Sequence, residues 1–383
     1  MFNLSKDEIT FEVVEDFCRE WEEGVRVEYK QEIHKDIPKT LSSFANTQGG
    51  VLIIGVEADK THNKVKFPIK GIPKTDNIEE RIVQSGLMGI HPPVMSEVII
   101  LEVPSTANIV VVVRVDESVQ APHAIQNSTK VYIRVASVSQ PYEKPQLAEL
   151  DYIEYLLNRS QETQKIASYI IDQLEKRTQQ FLHQPVPKMT VIARPVFPYR
   201  SVISLASIYK LYKADSPKRV MGGVSCFSGT GSNENLEINE HGIVYYSTEL
   251  LVNRENNTID VNSFIAGINE VIKAAKTLYQ ECDYLGNIEV SVRLQNVQNK
   301  GLSDNSGRLR PTQTFINSAC SDDEFEVTTS KYYLLRDFND QEHQRDISED
   351  LIFKILWTFD IPNDNGIISD GIRKFIREKS GIV

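Results

Sequence analysis

The stretch VIILEVPSTANIVVVVRV, residues 98–115, is apolar enough to enter a membrane or a protein core, and its middle decides between them. A spanning helix needs about 20 uninterrupted apolar residues. Here Pro104, Ser105 and Asn108 split the stretch into two short β-branched runs joined by a turn, which predicts strands near 95–103 and 109–115. No other apolar run reaches spanning length, so no membrane partner is expected.

The residues around this hairpin alternate between helical and strand periods. Ile9, Val13, Phe17 and Trp21 recur every four positions and predict a helix over 7–22. Val25, Val27 and Tyr29 then alternate with Arg26, Glu28 and Lys30, the period of a half-buried strand. Ile37, Leu41 and Phe44 share one face of a second helix, with Pro38 tolerated in its first turn and Gln48-Gly49-Gly50 at its end. VLIIGVEA reads as a central strand, Thr61 to Asn63 as a turn, KVKFPIKG as a strand, and 76–90 as a helix stopped by His91-Pro92-Pro93. After the turn Ala121-Pro122-His123, KVYIRVASVSQP supplies a last strand, with Val131, Ile133 and Val135 on one face and Tyr132 and Arg134 on the other.

A chain of 383 residues exceeds what one core usually serves, so two domains are expected. Residues 143–180 read as a polar helical stretch that ends in FLHQPVPKM, where two prolines favour an extended linker. This gives residues 1–160 as one α+β domain, 161–188 as a helical linker and 189–383 as a second α+β domain, built from strand runs such as MTVIARPVF and a long helix near 261–282. SGTGSNENLEIN is read as a surface hairpin loop, and 301–323 as a long loop carrying Arg308 and Arg310. Cys18, Cys226, Cys282 and Cys320 are scattered with no metal-ligand spacing, which points to a reducing compartment and away from structural zinc. The acidic, amphipathic N-terminus lacks a secretory signal, so a cytoplasmic location is expected. A net charge of −11 argues against broad duplex binding and leaves room only for a local basic groove.

Five landmarks occur in order. EGVRVEYK, residues 23–30, resembles the ExxxxExK signature that opens Schlafen AlbA_2 domains, and SSFANTQGGVLIIGVEA resembles their AFANTxGGxxxIGVxD segment. IHPPV, APHAI and VYIRVASVSQPY resemble the family's IxPP, its Pro-His turn and its YIRxGSxTxxA ending. The resemblance covers about 20–142 and implies a mixed sheet with packed helices and a nucleic-acid role. Two positions depart from it: Glu57 stands where the family has Asp, with Asp59 two residues on, and Ala136 stands where Gly is common. No GxxxxGK[ST] is present, so the ATP-binding label given to the family finds no phosphate cradle.

Related acidic residues in Schlafens are implicated in metal-dependent RNA cleavage. Carried over, this implies Glu23, Glu28 and Glu57 as catalytic and metal-binding acids, with Asp59 as the other candidate for the third ligand and Lys30 beside them. The chemistry is coherent: Mg²⁺ or Mn²⁺ takes carboxylate oxygens and lowers the pKa of bound water, and a lysine meets charge building on phosphate. The resemblance thus implies an endonuclease acting on RNA or single-stranded DNA, in the setting of an antiphage defence effector with a partner subunit. The alternative is a non-catalytic binding or regulatory module in the same fold, self-associating or assembled with other proteins. Glu and Lys alternating on a strand are more often a solvated face or an ion pair. Lys35 and Lys39, with His34, form a candidate basic edge, and Tyr132 with Arg134 a candidate stacking and phosphate-contact pair. Asn46, Thr47 and His123 are read first as residues that fix turns.

Overall fold

The computed structural model describes residues 2–58, 64–128, 130–134, 146–179, 186–197, 201–212, 217–228, 234–282, 284, 286–303, 319–361 and 373. The chain divides into two units, Met1–Glu162 and Thr163–Val383, and its class is α+β. In the first unit α1 (Phe11–Glu20), β1 (Val27–Lys30), α2 (Ile37–Asn46), β2 (Gly50–Ile54), β3 (Ile72–Pro73), α3 (Ile78–Gly89) and β4 (Ile90–His91) follow one another. Then come β5 (Glu97–Glu102), β6 (Asn108–Val115), β7 (Ala124–Ile125), β8 (Tyr132–Ile133), β9 (Gln146–Leu147) and the start of α4 (Leu150–Gln179).

β1 runs parallel to β2, β2 antiparallel to β6, and β6 also pairs with β3 and β5. The hairpin expected at 95–115 is therefore β5 and β6. The apolar run of β6 is nearly continuous because both of its faces are covered, whereas β5 leaves Ile100 exposed. Leu52, Ile54, Val111, Val113 and Val115 pack with Leu41 and Phe44 of α2 and Ile78 and Ile82 of α3. Val51, Ile53, Val110 and Val112 pack with Val14 and Phe17 of α1.

Several boundaries move for local reasons. The first helix starts at Phe11, where the Thr10 side chain accepts the Val13 N–H at 3.4 Å, and Lys6–Glu8 forms a separate 3-10 turn. The strand expected over 64–71 is reduced to a bridge between Ala58 and Val65, and pairing with β6 starts only at Ile72. Pro68 has no N–H to give a ladder, and Gly71 turns the chain with φ of 68°. The last strand is β8, paired with β9, while residues 135–145 lie outside the described residues.

In the second unit β10 (Lys188–Pro195), α5 (Leu205–Leu211), β11 (Lys218–Val220), β12 (Gly223–Ser228), β13 (Glu234–Asn239), β14 (Val244–Glu249), β15 (Val252–Asn253) and β16 (Thr258–Asp260) are followed by α6 (Val261–Glu281). β17 (Ile288–Gln295), β18 (Gly301–Ser303), β19 (Glu324–Thr328), α7 (Leu335–Asn339) and α8 (Gln341–Thr358) complete it. The antiparallel sheet has the order β11-β12-β13-β14-β10-β17-β19. Val191, Val244 and Val292 meet Phe264, Ile268 and Val271 of α6 on one face. Ile170, Ile171 and Leu174 of α4 pack with Ile192, Ile243 and Tyr245 on the other. Of SGTGSNENLEIN, expected as a surface loop, Ser228 ends β12 and Glu234–Asn239 is the largely buried strand β13, paired with Ser228 opposite Glu234, while 229–233 lie outside the described residues, as does most of the 301–323 segment with Arg308 and Arg310. No helix among the described residues is long and apolar enough to cross a membrane.

The pair Gly49-Gly50 sets how α2 returns into β2. Gly49 has φ of 69°, and a Cβ on Gly50 would sit 2.3 Å from the Phe44 ring. Gly50→Ala should therefore cost about 1–3 kcal/mol through overpacking. Faster hydrogen exchange of the β2 and β6 amides would show it, and unchanged protection would contradict this packing.

Candidate functional site

The residues of the ExxxxExK signature meet beside α2. On β1, Val27 and Tyr29 enter the core under α1, so Glu28 and Lys30 project to the other face. Glu28 is only 5% exposed, and both its oxygens are used. Oε2 accepts from Arg134 Nη2 at 2.7 Å, and Oε1 accepts from Lys30 Nζ. Arg134, 2% exposed, also donates from Nη2 to the Gly24 carbonyl at 2.7 Å and lies 4.6 Å from the Phe44 ring centre. Glu23 accepts the Tyr29 N–H at 2.9 Å, and the Tyr29 hydroxyl donates to the Trp21 carbonyl at 2.9 Å. Burial pushes the Glu23 carboxyl up from its ordinary range; the Glu28 charge adds to this, while the Tyr29 N–H, Lys30 and Arg134 oppose it.

Glu57 is placed elsewhere. Glu28 lies opposite Leu52 in the register, whereas Glu57 follows the end of β2 and is held by Lys66 at 2.6 Å and Lys70 at 4.0 Å. The hydrogen bond from Lys66 and its charge hold the Glu57 carboxyl below the usual range. Asp59 lies outside the described residues. Among the described residues no group of three His, Cys, Asp or Glu side chains is placed to hold a metal ion. Glu23, Glu28 and Glu57 do not fit a divalent cation as they stand, because Glu28 is already neutralised by two side-chain cations and Glu57 is not beside it.

The turn residues form a second buried set. Asn46 Nδ2 donates to the carbonyls of His123 at 2.9 Å and Tyr132 at 2.8 Å, and its Oδ1 accepts the His123 N–H at 2.7 Å. Thr47 donates to the Ser43 carbonyl and accepts the Arg134 N–H at 3.0 Å. His123 Nδ1 lies 2.7 Å from the Pro92 carbonyl oxygen, and burial lowers its pKa. These three residues fix the end of α2 against β8 and the Pro-His turn. Their contacts are with backbone, which is the turn-fixing role expected of them.

The outer edge of α2 is different in character. Lys39 Nζ sits 4.8 Å from the ring centre of half-buried Tyr132, Lys35 is exposed, and exposed His34 meets Asp36 at 3.1 Å. The Tyr132 and Arg134 pair is thus divided: the ring lies at the edge with Lys39, and the guanidinium is inside. Sequence reasoning passed over Glu117 and Arg159, a buried pair at 2.9 Å whose arginine also donates to the Ser118 carbonyl. An arginine on a helix read only as polar was the one available signal.

Residues 23–143 match the family described as Schlafen, AlbA_2. One similar solved structure is the solution NMR structure of the N-terminal domain of a putative ATP-dependent DNA helicase RecG-related protein from Nitrosomonas europaea. The likeness covers 35% of this chain and 87% of that one, at 18% identity and a TM-score of 0.26. No curated protein matches the chain.

The raised Glu23 pKa has a definite sign for stability. A carboxyl whose folded pKa exceeds its unfolded value, about 4.3, favours the fold fully below that value and loses the contribution as pH rises through it toward the folded pKa. Glu23→Gln, which keeps an acceptor for Tyr29, should therefore match the native chain near pH 4 and exceed its stability at pH 7. Urea unfolding at the two pH values checks this, and a variant less stable at pH 7 would contradict it.

Proposed function

We propose that the N-terminal unit is a nucleic-acid-binding module that meets RNA or single-stranded DNA along the α2 and β8 edge, with Glu28 serving the fold. The observation that carries this reading is the division of the signature residues. Glu28 and Arg134 neutralise each other inside, while Lys39 and Tyr132 present a cation and a ring at the edge, next in chain to exposed Lys35. A stacking ring beside lysines suits a flexible strand, because every base has a π-face and every link has a phosphate. The match to the Schlafen AlbA_2 family supports the same class of partner.

Cleavage by Mg²⁺ or Mn²⁺ held on Glu23, Glu28 and a third acid at Glu57 or Asp59 is the competing reading, and the present set of contacts does not favour it. Antiphage defence, and assembly with a partner subunit or a second copy, remain tied to that same nucleic-acid role. The two readings differ at Glu28. In a binding module, Glu28→Ala leaves the buried Arg134 charge unpaired and costs about 3–5 kcal/mol of stability. In a metal enzyme, Glu28→Gln abolishes divalent-dependent cleavage and leaves the fold unaltered.

Labelled transfer RNA, single-stranded DNA and duplex DNA, each with Mg²⁺, Mn²⁺ or EDTA, give the test. Binding to single strands should weaken steeply with salt, with a log–log slope set by roughly two to four phosphate contacts. Lys35→Gln with Lys39→Gln should lower affinity severalfold and flatten that slope. Cleavage that needs the metal and disappears in a fully stable Glu28→Gln variant would replace this reading with the nuclease one.

A further inference from the structure

The segment between β2 and α3 contains Lys64-Val65-Lys66-Phe67-Pro68-Ile69-Lys70-Gly71-Ile72-Pro73-Lys74, which has lysines at four positions and no acid, in a chain of net charge −11. Its aliphatic residues point inward. Val65 and Ile69 belong to the core under α1, and Ile72 to the core under α2. Lys64, Lys66, Lys70, Lys74 and Phe67 are all exposed. The Phe67 ring is 42% exposed, and the Arg19 guanidinium lies 5.1 Å from its centre. Buried aliphatics thus anchor a segment whose outward residues are cations and one ring.

We propose that this segment binds single-stranded nucleic acid, the four lysines meeting phosphates and the Phe67 ring, backed by Arg19, meeting a base. The proposal rests on the nucleic-acid reading above, and it adds a second surface that shares none of the residues carrying that reading. Lysines are point charges suited to phosphates in varied positions, and a ring beside a guanidinium is a stacking platform. Anionic lipid is the poorer fit, because Val65, Ile69 and Ile72 are inside and only one ring is left to enter a bilayer. An acidic peptide would use the lysines but has no base to stack on Phe67.

The carboxylates near the segment regulate its charge. Glu57 lies 2.6 Å from Lys66 and 4.0 Å from Lys70, and Glu102 lies 3.1 Å from Lys74. Such exposed pairs are weak and screened by salt, so phosphate can replace the carboxylate. Glu57 is then a competitor of the ligand, a role opposite to that of a metal-binding acid.

Fluorescence anisotropy of the full chain with labelled 20-mers of deoxythymidine and of uridine tests the proposal. Lys64→Gln with Lys70→Gln should weaken binding about tenfold and lower the log–log salt slope by about 1.4, from about 0.7 per single-strand phosphate contact. Phe67→Ala should weaken binding roughly tenfold with little change in slope. Glu57→Gln should tighten it. Unchanged affinity in the Lys64/Lys70 and Phe67 variants, with loss in Lys35→Gln/Lys39→Gln, would overturn this proposal and leave the α2 edge standing. No binding of either oligomer by the native chain at low salt would overturn both. Binding to phosphatidylserine vesicles that depends on Lys64 and Lys70, without oligomer binding, would overturn it in favour of lipid.

Discussion

A buried guanidinium keeps its charge at any physiological pH, so the fold around Arg134 has to supply what water would have supplied. It does so in part, from four parts of the chain, with Nη2 hydrogen-bonded and Nε and Nη1 buried without a hydrogen-bond partner among the described residues. Glu28 on β1 supplies the counter-charge, Gly24 in the preceding turn a carbonyl, Phe44 on α2 a ring face, and Thr47 after α2 an acceptor for the backbone N–H. Removing any one leaves a charge or a donor without compensation in a place that solvent does not reach. Position of β1, end of α2 and the end of β8 are therefore fixed together.

This convergence changes what the signature means. The glutamate of ExxxxExK, the Phe and Thr of the FANT segment and the Arg of YIR are separated by up to about a hundred residues, and they touch one another around one ion pair. A motif whose members are held in place by a buried charge is held for folding reasons even where no reaction uses it. Asn46 extends the same logic, since its amide bonds His123 and Tyr132 and so ties the Pro-His turn to β8.

Legibility in the sequence followed the type of signal. Long apolar runs give β2 and β6, because β-branched residues buried on both faces leave no polar alternation to misread, and the apolar run VIIL gives β5 although Ile100 is exposed there. The four-residue repeat from Ile9 to Trp21 gave α1, and Thr10 decided its start by capping. KVKFPIKG reads as a strand because Val65 and Ile69 are apolar and inward, but Phe67 between them is exposed, and Pro68 and Gly71 deny the segment a ladder. Alternation also placed Tyr132 and Arg134 on one face without showing that α2 covers it. Phe44 and Lys39 make that cover, and only the fold brings residues this far apart in sequence together. Position in a motif points to Glu57 as an acid of the site, and says nothing of Lys66 and Lys70, which lie 9 and 13 residues further along the chain and hold it.

Four ion-paired acids of this unit fall into two physical kinds, and the net charge of −11 hides the difference. Glu28 and Glu117 are buried against arginines, where desolvation makes separation costly and salt has little access. Glu57 and Glu102 are solvent-accessible partners of lysines, held by attractions that added salt or a competing phosphate weakens. Only the second kind can exchange its lysine for another anion without unfolding the domain. An acidic chain can thus carry a nucleic-acid surface, provided that the carboxylates counted in its total are either sealed inside or loosely placed beside the lysines that do the binding.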